Sequence, residues 1–376
     1  MKTFDFGKMR EATRLTREGR LNDALALLKA AATGVTGPGP LPRTTLDGEI
    51  VPDQELPITL SALGPNLRLP IDGTSLPKPR LNGPQSADIF PEGGSLVSGS
   101  FSSSEGTRSY KLYIPATLGS GPRPLIVMLH GCSQSADDFA AGTRMNFAAE
   151  PRGCFVVYPE QPQAANASKC WNWFRPGDQT REKGEPALIA GITRQVIEAH
   201  DIDQTRIYVA GLSAGGAAAA IMGEVYPDLY AAVGVHSGLA CGSAHDVASA
   251  FTAMRGGASH IKLRAPIPLK PTIVFHGDKD ATVHPCNGAK VIARVAGGDE
   301  QLSPQTVRRV LPTGHSFSHT VHRNASGLGV LELWELHGAG HSWSGGSPAG
   351  SFTSEHGPDA SKEMLRFFLQ HRLSPA

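Results

Sequence analysis

The chain has 376 residues, a length that suits one catalytic-size domain with an additional segment. Its 35 lysines and arginines and 34 aspartates and glutamates leave a formal charge of +1, which argues against a basic surface for nucleic acid. The apolar runs fall far short of the roughly 20 residues that span a bilayer. We therefore expect neither a nucleic-acid partner nor a membrane span.

The N-terminal segment predicts a small helical hairpin followed by a linker. Apolar residues recur at helical spacing from Met9 to Thr16 and from Leu21 to Leu28. Residues 1–33 are therefore predicted to form a hairpin that serves docking or self-association. Residues 34–106 are rich in Pro, Gly and Ser with little periodicity, which predicts a mobile linker.

From residue 107 to 376 short apolar strands alternate with helices. Strands are predicted at Tyr110–Ile114, Pro124–Leu129, Cys154–Tyr158, Arg206–Ala210, Ala231–Val235, Thr272–Phe275, Val307–Leu311 and Val330–Leu336. Helices are predicted at Pro186–His200, directly after Gly215 and around Glu363–His371. This alternation is typical of an α/β domain with a mainly parallel central sheet covered on both faces.

The sharpest motif is the pentapeptide GLSAG, residues 211–215, which lies between a predicted strand and a predicted helix. In a nucleophile elbow a serine occupies a strained strand-to-helix turn, and flanking glycines let the strand and helix approach closely. Ser213 is therefore the predicted nucleophile. A glycine-rich packing turn would explain the pentapeptide alone but not the residues that follow.

A serine hydroxyl needs a base to accept its proton, and in this arrangement the acid and then the histidine follow along the chain. The strand Thr272–Phe275 leads into a loop with Asp278 and Asp280, and Val330–Leu336 leads into a glycine-rich loop with His341. We predict His341 as the base. Asp280 is favoured over Asp278 as the acid, because it lies deeper in the loop.

The segment HGCSQ, residues 130–134, follows the buried strand PLIVML, where the donors for an oxyanion are expected. We predict that the backbone amides of Cys132 and Ala214 stabilise the oxyanion. Cys132 would then act through its backbone. A cysteine nucleophile is the weaker interpretation, because Ser213 already occupies the elbow.

Five motifs in order resemble the polyhydroxybutyrate depolymerase type of esterase, a branch of the α/β hydrolases that also contains feruloyl and acetyl-xylan esterases. They are HGCSQS, CWNWF, GLSAGG, HGDKDATVHP and GAGHSWSGG, and the resemblance covers roughly Tyr110 to the C-terminus. It implies an α/β-hydrolase fold and ester hydrolysis by Ser213, Asp280 and His341, with Cys132 and Ala214 at the oxyanion hole. The N-terminal hairpin and linker lie outside it.

The substrate is less defined by the sequence than the reaction. A hydroxybutyrate-type polyester or a short-chain ester is favoured, with feruloyl or acetyl-xylan esters as the alternative. A non-catalytic binding protein on a hydrolase scaffold is a third hypothesis, against which the complete set of Ser213, Asp280 and His341 argues.

Three tryptophans lie in the matched motifs, and flat aromatic surfaces suit a polyester, a sugar or a phenolic acid. Trp343, two residues after His341, is expected to line the substrate cleft. Trp171 and Trp173 fit either a substrate contact or packing beneath the loops.

No cofactor is expected. A zinc site is disfavoured because His337 and His341 lie in a glycine-rich loop without an HExxH pattern, and the five cysteines show no CxxC spacing.

If the protein meets an oxidant, Cys241 with Cys286 is the first predicted disulfide, because both follow neighbouring strands of the sheet. Cys132 with Cys170 is the second, and Cys154 is expected to remain buried. The N-terminal sequence lacks the apolar core of a secretory signal. We therefore expect a cytoplasmic enzyme, or a secreted one if the chain is a processed form.

Overall fold

A computed structural model describes residues 84–117, 119–256, 269–297 and 301–374. The chain divides into two units, Met1–Thr74 and Ser75–Ala376, and the first lies entirely outside the described ranges. The predicted hairpin at residues 1–33 therefore has no structural description. None of the described helices is long and apolar enough to cross a membrane.

The second unit is built on a ten-stranded sheet with the spatial order β1-β2-β4-β3-β5-β6-β7-β10-β9-β8. The six strands from β4 to β10 in this order pair in parallel, and the outer pairs are antiparallel. The strands are β1 Ser95–Ser103, β2 Gly106–Ile114, β3 Arg123–Leu129, β4 Phe155–Pro159, β5 Ile202–Leu212, β6 Ala232–His236, β7 Thr272–Gly277, β8 Ser303–Val310, β9 Ser316–Arg323 and β10 Gly329–His337. A separate two-stranded sheet pairs β11, Trp343–Ser344, with β12, Thr353–Ser354.

Helices lie between these strands and cover the sheet. They are α1 Ser86–Ile89, α2 Ala136–Thr143, α3 Met145–Ala149, α4 Gly184–Ala199, α5 Ala214–Val225, α6 Val247–Met254, α7 Cys286–Ala296 and α8 Ala360–Phe368, with short 3₁₀ turns at Glu150–Arg152 and Pro176–Gln179. The predicted α/β-hydrolase architecture is confirmed.

The apolar core forms two layers, one on each face of the sheet. Strand β3 contributes to both, because successive side chains of a strand point to opposite faces. Leu125, Val127 and Leu129 pack in one layer, and Ile126 and Met128 in the other. Residues of α4 and α5 complete the first layer and residues of α8 the second. This is why the run PLIVML is apolar without alternation.

The sheet begins earlier along the chain than the sequence predicts. Strand β1 pairs along its whole length with β2, so the proposed linker boundary at residue 106 is too late. Its sequence, SLVSGSFSS, carries few apolar residues because β1 is an edge strand with largely exposed side chains. Leu96 and Phe101 are the exceptions, because both pack against the core. A β-carbon on Gly191 of α4 would collide with the Phe101 ring.

Candidate active site

Ser213 occupies the turn between β5 and α5 with φ 58° and ψ −119°, a strained conformation for a serine. Its amide donates to the carbonyl of His236 at 2.9 Å. A β-carbon on Gly211 would collide with the backbone of Gly215, and one on Gly215 with the carbonyl of Leu129. The glycines thus allow the strand and helix to approach, and the serine between them is partly exposed.

Asp280 and His341 meet at the carboxyl edge of the sheet, in the loops after β7 and β10. His341 Nδ1 lies 2.7 Å from Asp280 Oδ2. The other carboxylate oxygen accepts the amides of Thr282 at 2.9 Å and Val283 at 2.8 Å. Gly277 brings the two loops together, since a β-carbon there would collide with the Ala339 carbonyl.

The environment of Asp280 favours its ionised form. Burial alone would raise the pKa of this carboxyl, but the hydrogen bond with His341, its positive form and the Val283 amide outweigh burial and hold the pKa below its usual value. Asp280 is therefore a buried anion that can orient the imidazole through Nδ1.

Asp278 has a different partner. Its Oδ2 lies 3.2 Å from His337 Nδ1, and its Oδ1 accepts the Gly338 amide at 2.7 Å. His337 Nε2 is 2.8 Å from the hydroxyl of Ser318 on β9. The Asp278–His337 pair thus holds the start of the glycine-rich loop, and among the described residues its hydrogen bonds go to Gly338 and Ser318 rather than to His341.

The segment after β3 lies directly beside the serine. A β-carbon on Gly131 would be 3.7 Å from the β-carbon of Ser213. The Gly131 amide donates to the side chain of Gln134 at 2.9 Å. Within the described ranges the amides of Cys132 and Ala214 donate to no protein acceptor. Both are thus available to a ligand at Ser213.

The fold agrees with comparisons of the chain with known proteins. The family model described as esterase PHB depolymerase matches residues 108–310, more than half of the chain. The chain belongs to this PHB depolymerase esterase family. Poly(3-hydroxyalkanoate) depolymerase C of Paucimonas lemoignei is 34% identical over 236 residues, which cover 58% of this chain and 54% of that protein.

Other similar proteins are esterases with different named substrates. Feruloyl esterase B of Thermothelomyces thermophilus is 34% identical over 140 residues, which cover 37% of this chain and 47% of that protein. This chain thus spans about half the length of these two relatives. The acetyl xylan esterase from Aspergillus awamori has a similar fold, with a TM-score of 0.56 and 20% identity over 72% of this chain and 98% of that one.

The disulfide in this PHB depolymerase family member joins Cys132 to Cys170, with their Cα atoms 4.2 Å apart. The first-ranked prediction, Cys241 with Cys286, is wrong, and the second-ranked pair is the one that forms. Cys286 instead begins α7 and its thiol lies 3.9 Å from the Gly256 carbonyl, whereas Cys241 is packed in the apolar core. Cys154 is buried, as predicted.

The tryptophans of the family motifs are packed inside the protein. Trp343 has no exposed surface and donates from Nε1 to Ser361 at 3.1 Å, so the expectation that it lines the cleft is wrong. Trp171 is equally buried and donates to the carbonyl of His130 at 3.1 Å, and Trp173 is 6% exposed. Of the two interpretations for Trp171 and Trp173, packing agrees with this burial.

Sequence reasoning missed the polar side chains that support residues 130–134, the predicted oxyanion segment. His130 Nε2 accepts the Gln161 amide at 3.0 Å, and Gln161 donates to the Cys170 carbonyl at 3.0 Å. Burial is the main cause that lowers the pKa of His130. The one sequence signal for this role of His130 is its position directly after β3. Gln161 carries no motif signal.

The described residues contain no group of three or more His, Cys, Asp or Glu side chains arranged to hold a metal ion. His337 and His341, the pair considered above for zinc, contact separate carboxylates, Asp278 and Asp280.

Proposed function

We propose that the protein is a serine-dependent carboxylic ester hydrolase that works through an acyl-enzyme. The 2.7 Å contact between His341 and Asp280 at the same sheet edge as Ser213 carries this proposal. With Nδ1–H donated to Asp280, Nε2 of His341 is the basic nitrogen. It accepts the Ser213 proton as Oγ attacks the ester carbonyl, and then donates it to the leaving alcohol.

The tetrahedral intermediate carries a negative charge on the former carbonyl oxygen. The amides of Cys132 and Ala214 are the proposed donors to it, because both lie beside Ser213 with no protein acceptor in the described ranges. In the second half of the reaction water, deprotonated by His341, attacks the acyl-enzyme and releases the carboxylic acid. Asp280 keeps the imidazole oriented in both halves.

The proposed substrates are hydroxyalkanoate esters and short-chain esters. The family and the similarity to poly(3-hydroxyalkanoate) depolymerase C support this choice. Feruloyl esters are the second candidate, because the similarity to feruloyl esterase B reaches the same identity over a shorter region. The ratio of kcat/KM for hydroxybutyrate oligomers to that for methyl ferulate discriminates between them, and a ratio well below one selects the second.

The cytoplasmic expectation is replaced by a different proposal. A disulfide beside the proposed oxyanion hole supports an oxidising compartment, because cytosolic reductants keep such pairs reduced. The N-terminal segment, residues 1–33, keeps its proposed role in docking or self-association. The binding partner that we propose for the active site is an ester substrate.

Substitution tests the triad against a matched control. Ser213→Ala and His341→Ala should lower kcat for p-nitrophenyl acetate by about 10⁴-fold or more, because each removes one member of a single catalytic unit. Asp280→Asn should lower the same kcat by roughly 10²–10⁴-fold. Asp278→Asn should keep kcat within about fivefold of wild type, because a partly exposed ion pair contributes little free energy.

The outcomes separate catalysis from binding. A fluorophosphonate should label Ser213 in the wild type and not in Ser213→Ala. Absence of labelling in a folded wild-type protein would favour the non-catalytic scaffold hypothesis. Equal losses in the two aspartate variants would contradict the assignment of Asp280.

A further inference from the structure

Phe352 combines two unusual properties. The residue is 48% exposed, and its backbone lies in the left-handed region with φ 52°. A bulky side chain rarely adopts this conformation, and such strain persists only where the surroundings impose it. Strain of this kind concentrates at ligand and active sites.

Hydrogen bonds on both sides hold Phe352 in place. The amide and hydroxyl of Ser351 donate to the Asp138 carboxylate at 2.9 and 2.6 Å. Gln134 Nε2 donates to the Ser351 carbonyl at 3.0 Å. The carbonyl of Phe352 itself accepts the Trp343 amide at 2.8 Å. Four contacts thus impose the turn that presents the ring.

These contacts place Phe352 between the two loops of the proposed active site. Gln134 also accepts the Gly131 amide, which belongs to the oxyanion segment beside Ser213. Trp343 is two residues beyond His341 and pairs with Thr353 in the small sheet. Phe352 is therefore attached to the oxyanion segment on one side and to the base loop on the other.

Because the tryptophans are buried, any aromatic contact with the apolar part of a substrate must come from another residue. Trp343 and Trp171 have no exposed surface, so neither meets a substrate. Phe352 is the exposed aromatic side chain of the segment that follows His341, and an apolar chain that covered its ring would remove apolar surface from water.

We propose that Phe352 is a specificity-determining residue that contacts the apolar part of an ester chain beyond the scissile bond. This inference rests on the proposed ester hydrolysis. The substrate class is an ester with an extended aliphatic chain, such as a hydroxyalkanoate oligomer, in preference to an ester with only small groups on either side.

The test compares two substrates in the full-length protein, followed by pH-stat titration of the released acid. They are the methyl ester of a hydroxybutyrate trimer, which has an extended chain, and methyl acetate, which has none. Phe352→Ala should lower the ratio of kcat/KM for the trimer to that for methyl acetate about tenfold. Phe352→Leu, which keeps an apolar side chain, should keep this ratio within about threefold of wild type.

One further variant separates the ring from the backbone, and another is a control at a distant exposed residue. Phe352→Asn removes the apolar surface but tolerates the left-handed conformation, so its ratio should fall as far as that of Phe352→Ala. Leu328→Ala should leave the ratio unchanged, because the exposed Leu328 precedes β10 at the opposite edge of the sheet.

Three results would overturn the inference. If Phe352→Ala leaves the ratio of kcat/KM for the trimer to that for methyl acetate unchanged, Phe352 has only a structural role. This holds even if both kcat/KM values fall together. A ratio near wild type in Phe352→Asn would assign the effect to the loop backbone. A larger relative loss on methyl ferulate than on the trimer would assign the ring to aromatic esters. Failure of the proposed function is a separate result, namely wild-type protein with no Ser213-dependent hydrolysis of methyl acetate.

Discussion

At the scale of single residues, His236 connects the parts of the candidate site. It is the last residue of β6 and is fully buried. Its carbonyl accepts the Ser213 amide, and its Nε2 accepts the Ser344 amide at 3.1 Å. The ring stacks between Phe275 and Trp343, with centroids 5.7 and 5.1 Å away. His236 thereby supports the elbow through its backbone carbonyl and the loop that carries His341 through its neutral imidazole.

The buried His236 predicts a loss of stability in acid. Burial, and then the positive forms of His276 and His341, lower the pKa of His236 to about 3. The unfolded chain binds this proton below about pH 6.5, so the free energy of unfolding should fall as pH drops from about 6.5 towards 3. His236→Gln removes this titrating group. As the pH falls, the unfolding free energy of the variant, measured in urea, should therefore decrease less steeply than that of the wild type, by up to about 1.4 kcal/mol per pH unit.

The matched control for this prediction is His245→Gln, since the His245 side chain is 78% exposed. Its pH dependence between 5 and 7 should follow the wild type. If His236→Gln and wild type give parallel curves, the buried imidazole does not contribute to acid sensitivity.

At the scale of elements, a second segment, residues 161–171, supports the proposed oxyanion segment, residues 130–134. The disulfide links Cys132 to Cys170, and the Ser133 amide donates to the Ser168 carbonyl at 2.7 Å. Trp171 also donates to the backbone of His130. Residues 161–171 thus form the support on which residues 130–134 rest. The two cysteines of this disulfide are 38 residues apart in the sequence.

Loss of this disulfide should affect activity as well as stability. The double variant Cys132→Ala, Cys170→Ala should lower the free energy of unfolding by roughly 2–4 kcal/mol. It should also lower kcat for p-nitrophenyl acetate about tenfold, since a loosened Cys132 amide is a poorer oxyanion donor than one held in place. Urea unfolding and steady-state kinetics, each with and without dithiothreitol, measure both effects.

Cys286→Ser is the control, because it removes a thiol outside the disulfide. It should respond to dithiothreitol as the wild type does, whereas the double variant should not respond. Full activity in the double variant would show that hydrogen bonds alone position the oxyanion loop.

The same elements show which strands a sequence reveals. The run Pro124–Leu129 was predictable because both faces of a central parallel strand are buried and every residue must be apolar. The edge strand β1 was not, since Ser95–Ser103 has mostly exposed side chains and no strong alternation. Strand β8 was predicted only in part, at Val307–Leu311, because all eight of its residues are exposed. Strand β9, with partly exposed polar residues, gave no signal.

At the scale of the whole molecule, a residue's role could be predicted from the sequence where the neighbouring residues along the chain determine it. It could not be predicted where contacts between distant loops determine it. The proposed triad of Ser213, Asp280 and His341 could be predicted from the sequence because each residue follows its own apolar strand, and the parallel sheet brings these loops to one edge. The burial of Trp343 and the pairing of Cys132 with Cys170 depend on loops that meet only in the folded chain. No local pattern encodes such contacts.

Two deletions test where the catalytic unit begins. Removal of residues 1–74 leaves the unit Ser75–Ala376 intact and should preserve kcat/KM for p-nitrophenyl acetate, because every proposed catalytic residue lies at or beyond Cys132. Removal of residues 1–105 also deletes β1 and the Phe101 contact with α4. This variant should lose about 2 kcal/mol or more of unfolding free energy, through exposure of apolar surface alone.

Phe101→Ala in the shorter deletion isolates the aromatic contact from the strand pairing, and its stability should fall between those of the two deletions. Thermal unfolding by circular dichroism and the esterase assay on the same samples make the comparison. Equal stability of the two deletions would show that β1 is dispensable. A folded but inactive protein lacking residues 1–74 would show that the N-terminal segment contributes to the site, because the sheet and all proposed catalytic side chains remain in that variant.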